Sequence, residues 1–270
     1  MLPVIKWAGG KRQLLEELKR GMPNDIGTYV EPFFGSGALF FDLQPKKAII
    51  NDNNSELINM YLQIRDNPTK LMKALDILQK DFPKEETSQF TYYYDKREEF
   101  NKRIDKTQLS TSDAALMIFL NKTCYNGLFR VNASGKFNTP FGKRKTLNLY
   151  NKQNIIECSN ALKNAKIMQG DFGVACKGLK TKDFVYFDSP YFDTFDTYQI
   201  GGFPIEEHKR LAKLYKRLSD RGIYCMLSNS DNEFIKDLYK DYNIEIVPVK
   251  RMINCDGANR TGFEVIIRNY

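Results

Sequence analysis

An acidic residue follows an apolar stretch directly at Asp188, in the segment DFVYFDSPYFDTF of residues 183–195. The β-branched and aromatic residues before it predict a strand, so the carboxylate stands at the end of that strand. Pro190 restricts the preceding Ser189 to extended backbone conformations, and Tyr191 adds a flat aromatic face. This combination predicts a site of chemistry at a strand end.

These four residues have the groups needed to activate an exocyclic amine such as N6 of adenine. Such an amine is a poor nucleophile because its lone pair is delocalised into the ring, and two hydrogen-bond acceptors can draw the nitrogen toward tetrahedral geometry. Asp188 offers a carboxylate, and Ser189 offers a backbone carbonyl whose direction Pro190 fixes. Tyr191 can stack on a base that has been turned out of a duplex.

A glycine turn, FFGSG at residues 33–37, follows another apolar run. Glycines permit a tight turn and close approach to a ligand, which an open α/β sheet binds beyond the carboxyl ends of its strands. Phe40 stands where a dinucleotide fingerprint has its third glycine, which disfavours a pyrophosphate. Asp52 ends the next run, where it can accept both ribose hydroxyls or cap the following helix. Together these features suggest S-adenosylmethionine.

Short apolar runs that end in acidic or glycine-containing turns recur along the chain and predict strands, several of them buried on both faces. They are TYVEPFFGSG, KAIINDNN, AKIMQGDF, FVYFDSPY, GIYCMLSNS, IEIVPV and FEVIIRN. Residues 54–66 and 205–220 carry apolar stripes at helical spacing. The alternation of strand and helix predicts an α/β fold with a largely parallel sheet.

The alternation is interrupted between about residues 68 and 153, where helices dominate. No acidic residue occurs from Ala114 to Ile156. The basic residues in that stretch are Lys122, Arg130, Lys136, Lys143, Arg144, Lys145 and Lys152, interleaved with Tyr125, Phe129, Phe137 and Phe141. Aromatic and basic residues together favour nucleic-acid contact over a solvated loop, in agreement with a formal net charge of +8.

Other features of the composition exclude several classes of protein. The chain has neither an 18-residue apolar run nor a signal-peptide pattern, which predicts a soluble intracellular protein. Its five cysteines form no C-x-x-C pair, which argues against disulfides and zinc and predicts buried thiols. A single histidine, His208, excludes sites that need histidine pairs, and it is predicted as an exposed helix residue.

DSPY resembles the D-P-P-Y motif of amino-group methyltransferases, and the whole chain resembles the Dam-type (class alpha) DNA adenine-N6 methyltransferases. The matching pieces occur in family order: KWAGGKR, EPFFGSGALFFDL, INDNNSELIN, YNGLFRVN, FNTPFGKR, GDF, DSPY and LSNS. The resemblance implies a class I S-adenosylmethionine-dependent methyltransferase fold, Rossmann-like with a mostly parallel sheet and a helical target-recognition insertion. The catalytic domain would comprise residues 1–67 and 154–270, and the inserted DNA target-recognition domain residues 68–153.

The resemblance also implies roles for individual residues. In the cofactor site, Trp7 and Lys11 would border the methionine end of the cofactor. Phe33 and the turn of Gly35, Ser36 and Gly37 would approach the same end. Asp52 would hold the ribose, and Asp171 and Phe172 would bind the adenine. On the DNA, Lys6 and Arg130 would reach guanines, and Leu128 and Pro140 would touch a thymine methyl. Tyr125 and Asn126 would fill the gap left by the flipped base. The residues that would contact the DNA backbone are Asn132, Asn138, Lys143 and Arg144. The family precedent points to GATC as the recognised site.

Ser189 stands where the family usually has proline. Serine keeps the backbone carbonyl, so we expect activity to survive. The alternatives are a catalytically silent regulator that binds DNA or cofactor, or an amino-methyltransferase acting on cytosine N4, on RNA or on a protein glutamine. The expected partner is double-stranded DNA, with no metal, no membrane and a monomeric enzyme, in a bacterial cytoplasm or, for a phage or viral protein, in the host cell.

Overall fold

The computed structural model describes residues 1–7, 9–103, 108–143, 146–192, 202–250 and 261–270. Seven strands in these ranges form one sheet in the order β3-β2-β1-β4-β5-β7-β6. The strands are β1 Tyr29–Glu31, β2 Ala48–Asp52, β3 Ala165–Gln169, β4 Phe184–Phe187, β5 Tyr224–Ser230, β6 Asn243–Lys250 and β7 Thr261–Arg268. Each coincides with one of the apolar runs, so the predicted strands are confirmed.

The sheet is parallel through its first five strands, and β7 lies antiparallel between β5 and β6. Strand β4 shows why its sequence is apolar without alternation. Phe184 and Tyr186 belong to the hydrophobic core on one face of the sheet, and Val185 and Phe187 belong to the core on the other face. The predicted α/β fold with a largely parallel sheet is confirmed.

Ten helices accompany the sheet in the described ranges. They are α1 Leu15–Gly21, α2 Ala38–Leu43, α3 Ser55–Asp66, α4 Pro68–Asp81, α5 Glu86–Asn101, α6 Thr111–Thr123, α7 Lys152–Leu162, α8 Phe172–Ala175, α9 Ile205–Ser219 and α10 Glu233–Leu238. Helices α3 and α9 match the two predicted helices. None of the helices in these ranges combines the length and the apolar character needed to cross a membrane.

His208 does not lie on the surface, and its prediction as an exposed residue was wrong. It is 2% exposed, and its ring lies 4.7 Å from that of Phe203 and 5.6 Å from that of Phe192, measured between centroids. Position 208 precedes Leu211 and Tyr215 by three and seven residues, which places it on the buried stripe of α9. Burial lowers the pKa of His208 to about 4, so the imidazole is neutral at physiological pH.

Helix α6 runs through the core with both faces buried, from Ala114 to Leu120. Ser110 and Asp113 form a capping box at its start, and Asp113 also pairs with the buried Arg103. The helix packs against α3, α4 and α5. Its C-terminal end therefore supplies a rigid base for the chain that follows.

That chain folds back on itself over residues 124–141, the 124–141 hairpin, through the bridges Cys124–Phe141 and Val131–Phe137. Phe129, Phe137 and Phe141 are all buried, so the expectation that these rings meet nucleic acid was wrong. They form the apolar underside of the hairpin. Tyr125 is 58% exposed and is the one ring of that predicted set on the surface.

The predicted buried thiols are confirmed for Cys124, Cys158, Cys176 and Cys225, whereas Cys255 lies outside the described residues. Within the described ranges, no group of three or more His, Cys, Asp or Glu side chains is arranged to hold a metal ion.

Candidate active site

Four strands deliver acidic residues to the same edge of the sheet. Glu31 ends β1, Asp52 ends β2, Asp171 follows β3 after one glycine, and Asp188 follows β4 directly. Because these strands are parallel neighbours, their carboxyl ends meet around one crevice, where open α/β sheets bind ligands. A cavity of about 570 Å³ lies there, within the usual size of small-molecule sites.

The cavity brings together most of the residues predicted for cofactor binding and catalysis. Those that line it are Trp7, Lys11, Phe33, Gly35, Ser36, Asp52, Asp171, Phe172, Asp188, Ser189, Pro190 and Tyr191. Gly37 is the exception. A Cβ at that position would lie 2.4 Å from Cζ of Phe34, so this glycine allows the turn to pack and does not line the cavity.

The glycine turn is held by a carboxylate and by an aromatic ring. Gly35 has φ of 48°, and a Cβ there would lie 2.9 Å from Cδ1 of Trp7. Its N–H donates to Oδ2 of Asp52 at 2.9 Å. Glycine is therefore required both for the left-handed backbone and for the close contact with the indole.

Asp52 connects this turn to the end of β2. Its Oδ1 accepts the N–H of Asn54 at 2.9 Å, whereas the cap of α3 is Asn54 itself, whose side chain accepts from Leu57 N at 2.8 Å. Asn54, and not Asp52, therefore caps α3. Burial raises the pKa of Asp52, and the N–H groups of Asn54 and Gly35 oppose that rise by stabilising the carboxylate.

An arginine that was not predicted from the sequence, Arg210, contacts both Asp171 and Phe172. Arg210, from α9, donates to Oδ2 of Asp171 at 2.6 Å, and its guanidinium lies 3.9 Å from the centre of the Phe172 ring. Phe33 contacts the same ring at 5.1 Å between centroids. The hydrogen bond from Arg210 lowers the pKa of Asp171, so this carboxylate is ionised.

Asp188 shares the cavity with a buried lysine. Nζ of Lys11 lies 2.6 Å from its Oδ1, and Ser228 donates to the same oxygen at 3.1 Å. Burial raises the pKa of Asp188, and Lys11 opposes that rise. The Lys11 ammonium also donates to the Gly9 carbonyl and lies 4.5 Å from the centre of the Tyr191 ring. The Lys11 ammonium therefore contacts both the Asp188 carboxylate and the ring of Tyr191.

The loop that carries Ser189 is fixed by the end of β5. Ser189 is buried, and its Oγ accepts from Nδ2 of Asn229 at 3.3 Å. Oδ1 of Asn229 accepts the N–H of Phe192 at 3.0 Å, and Ser230 donates to the Phe192 carbonyl at 3.0 Å. The sequence motif LSNS thus acts as the support of the DSPY loop.

Two further carboxylates at the site were missed from the sequence. Glu31 lines the cavity at 2% exposure and accepts from Tyr29 Oη at 2.7 Å, and burial raises its pKa well above the usual value for glutamate. Its position at the end of β1 was the available signal. Glu264, in β7, accepts from Tyr191 Oη at 2.5 Å. It lies 73 positions from its partner, and no local pattern marks it.

The residues predicted to contact DNA lie in or beside the 124–141 hairpin, apart from Arg144, which lies outside the described residues. Arg130 donates from Nε to Oδ1 of Asn138 at 2.7 Å, which fixes its guanidinium. Asn126 is exposed and has φ of 56°. Oδ1 of Asn132 accepts from Ser134 and Lys136 within the turn, so Nδ2 is its group able to donate to a phosphate. The remaining members of the set are Lys6, Tyr125, Leu128, Pro140 and Lys143.

Trp7 connects the cavity to the hairpin. Its indole stacks on Phe129 with 5.1 Å between ring centroids and 25° between ring planes. The residues predicted to bind cofactor and those predicted to contact DNA are therefore connected by the contact between Trp7 and Phe129.

The chain is similar over its whole length to known methyltransferases. A family model described as D12 class N6 adenine-specific DNA methyltransferase matches residues 7–253. The type II methyltransferase M.MjaIII of Methanocaldococcus jannaschii is 40% identical over 99% of both chains. M1.LlaDCHI of Lactococcus lactis, also a type II methyltransferase, is 41% identical over 99% of this chain and 95% of its own. The DNA adenine methylase of Escherichia coli K12 is 30% identical over 98% and 94%.

Proposed function

Because the chain belongs to the D12 class of N6 adenine-specific DNA methyltransferases, we propose that it methylates N6 of an adenine turned out of duplex DNA, within the sequence GATC. The observation that carries the catalytic part is the carboxylate of Asp188, which stands inside the cavity at the end of β4 with Ser189 and Pro190 directly after it. The family establishes adenine-specific DNA methylation. The proposal adds the recognised sequence, the flipped base and the roles of the residues.

The cavity fits S-adenosylmethionine in size and in chemistry. Its volume suits a small nucleoside, the Gly35 turn allows close approach, and Asp52 offers a carboxylate at the partly exposed end of β2. When bound, this cofactor would supply a methyl group on a sulfonium, whose sulfur is a good leaving group because it departs as a neutral thioether. Asp171 and Phe172 would hold its adenine, which requires Arg210 to leave the ring face that it covers.

Asp188 and the Ser189 carbonyl would each accept a hydrogen bond from one N–H of the target amine. These two hydrogen bonds would localise the nitrogen lone pair, and acceptors held in place beforehand provide the electrostatic preorganisation that this reaction needs. The amine must first displace the Lys11 ammonium from Oδ1 of Asp188. Tyr191, held at its hydroxyl by Glu264, presents its ring to the base.

Residues 68–153 would form the DNA target-recognition part. Arginine paired with the major-groove edge of guanine is the commonest direct contact to a base, and Arg130 is fixed at Nε in a geometry that keeps its terminal nitrogens for such a pair. Lys6 would reach the other guanine, Leu128 and Pro140 would touch a thymine methyl, and the exposed Tyr125 would stack at the gap in the duplex. GATC itself is supported by the resemblance of the sequence motifs to Dam-type enzymes.

The test of the catalytic assignment is Asp188→Ala, with Asp220→Ala as the matched control that removes an exposed carboxylate at the end of α9. Transfer of radiolabelled methyl groups is measured on GATC duplexes and on scrambled duplexes, and cofactor binding is measured by calorimetry. We expect Asp188→Ala to bind cofactor but to lose methyl transfer. A variant that retains a tenth of the wild-type activity would contradict the role of Asp188.

The recognised sequence is tested by mapping modified bases in DNA from cells that express the gene. N6-methyladenine confined to GATC supports the proposal. N4-methylcytosine, or N6-methyladenine in another context, would refute the base or the sequence respectively.

A further inference from the structure

Asn121, in the last turn of α6, binds three backbone groups with one side chain. Its Oδ1 accepts the N–H of Lys6 at 3.0 Å, and its Nδ2 donates to the carbonyls of Lys6 at 2.8 Å and Gly127 at 3.1 Å. The residue is 2% exposed. Both backbone groups of Lys6 are paired as a neighbouring strand would pair them, so its main chain is fixed relative to the 124–141 hairpin.

The side chain of Lys6 lies against the same glycine. A Cβ at Gly127 would lie 2.9 Å from Cδ of Lys6 and 3.1 Å from its Cβ, and Gly127 has φ of 68°. Lys6 is nevertheless exposed overall. Its aliphatic stem therefore runs along the hairpin while its ammonium group reaches solvent.

The hairpin is held from a second side at the next carbonyl. Thr139 is buried and donates from Oγ1 to the carbonyl of Leu128 at 2.7 Å. Successive backbone groups, at Gly127 and Leu128, are thus fixed by buried side chains, and Arg130 follows two residues later. Lys6 and Arg130 consequently stand in a fixed register although they are far apart in sequence.

A lysine ammonium is a point charge on a flexible stem and has little directional preference of its own. Any selectivity that it shows for one base must come from the placement of that stem. We propose that Asn121 is a positioning residue for DNA site recognition, which holds the Lys6 ammonium in register with Arg130 by fixing the Lys6 main chain against Gly127. This inference rests on the proposed function, in which Lys6 reads a guanine.

The experiment compares discrimination, defined as the ratio of kcat/KM on the cognate duplex to kcat/KM on duplexes with one base pair replaced. The variants are wild type, Lys6→Met, Asn121→Asp and Asn269→Asp. Asn121→Asp keeps the acceptor for Lys6 N and removes both donated hydrogen bonds. Asn269 is the matched control, since its amide likewise accepts from Cys225 N and donates to the Ile223 carbonyl, both at 2.8 Å, away from the hairpin.

We expect Lys6→Met and Asn121→Asp to lose about tenfold or more of the discrimination at the same base pair, within the range for one base contact. The double variant should lose no more than either single variant, because the two changes act on one contact. Asn269→Asp should keep wild-type discrimination. Melting temperatures are recorded for all variants, and Gly127→Ala, which displaces the Lys6 stem from the other side, replaces Asn121→Asp if that protein does not fold.

The inference is overturned if Lys6→Met keeps full discrimination. It is also overturned if Lys6→Met loses discrimination but Asn121→Asp keeps it. Where Gly127→Ala replaces Asn121→Asp, the same outcome for Gly127→Ala overturns the inference. Equal losses for Asn269→Asp would also overturn it, since they would show a general effect of stability. A wild-type enzyme that methylates all the duplexes equally would instead refute the proposed sequence recognition, a result that is distinct from these.

Discussion

Ser189→Pro restores the residue that the family usually carries, and it should change the methylation rate by less than about tenfold. The serine hydroxyl accepts one long hydrogen bond, from Asn229 at 3.3 Å. A neutral hydrogen bond contributes about 0.5–1.5 kcal/mol to stability, and the proline ring restricts the unfolded chain by about 0.4–1 kcal/mol in the opposite direction. Neither change touches the backbone carbonyl that we assign to the amine. A residual effect of about 1 kcal/mol on the barrier corresponds to less than tenfold in rate.

The assay is single-turnover methyl transfer to a GATC duplex at saturating enzyme and cofactor, which isolates the chemical step from product release. Ser189→Ala is the control, because it removes the hydroxyl and keeps the backbone N–H and the freedom of φ. The two variants together separate the effect of the hydroxyl from that of the ring. A gain of a thousandfold or more in Ser189→Pro would show that the serine disables the enzyme and would refute this reasoning.

Three further predictions concern the surroundings of the site. Lys11→Met should move the acidic limb of the pH profile of kcat/KM, which reports the free enzyme, to higher pH, because Lys11 lowers the pKa of Asp188 there and the reaction needs that carboxylate ionised; an unchanged limb would contradict this. Glu264→Ala and Tyr191→Phe remove one hydrogen bond, so the rate losses should not add in a double-mutant cycle, and additive losses would separate the two residues. Binding to duplex DNA should weaken steeply with salt, and Lys143→Gln should reduce the log–log slope by about one, whereas an equal slope would remove Lys143 from the interface.

Most of the sheet was predictable from the sequence because its inner parallel strands, β4 above all, are buried on both faces and form apolar runs, whereas the edge strand β3 is partly exposed. The acids at their ends were equally visible. Asp52 and Asp188 each follow a run without an intervening turn, and the parallel arrangement alone dictates that they meet.

Contacts between distant segments were not predictable. Arg210 meets Asp171 across 39 positions, and nothing in an amphipathic helix such as α9 distinguishes a surface arginine from one that covers a ring in a cavity. Asn121 reads as a polar interruption of an apolar helix. The burial of Phe129 was misjudged for a related reason, since aromatic residues beside basic ones suit both a base-stacking surface and the packed underside of a hairpin.

Trp7 stacks on Phe129, and Asn121 hydrogen-bonds to Lys6, so residues 6 and 7 pack against the segment that contains the 124–141 hairpin. The hairpin is therefore not structurally independent of the amino-terminal residues. If residues 68–153 were replaced by those of a relative with another specificity, residues 4–7 of this chain would pack against a hairpin of different sequence. A working chimera should need residues 4–7 to travel with the insert. On the proposed function, sequence specificity would depend on two segments of the chain, residues 4–7 and the insert, and a change of specificity would require substitutions in both.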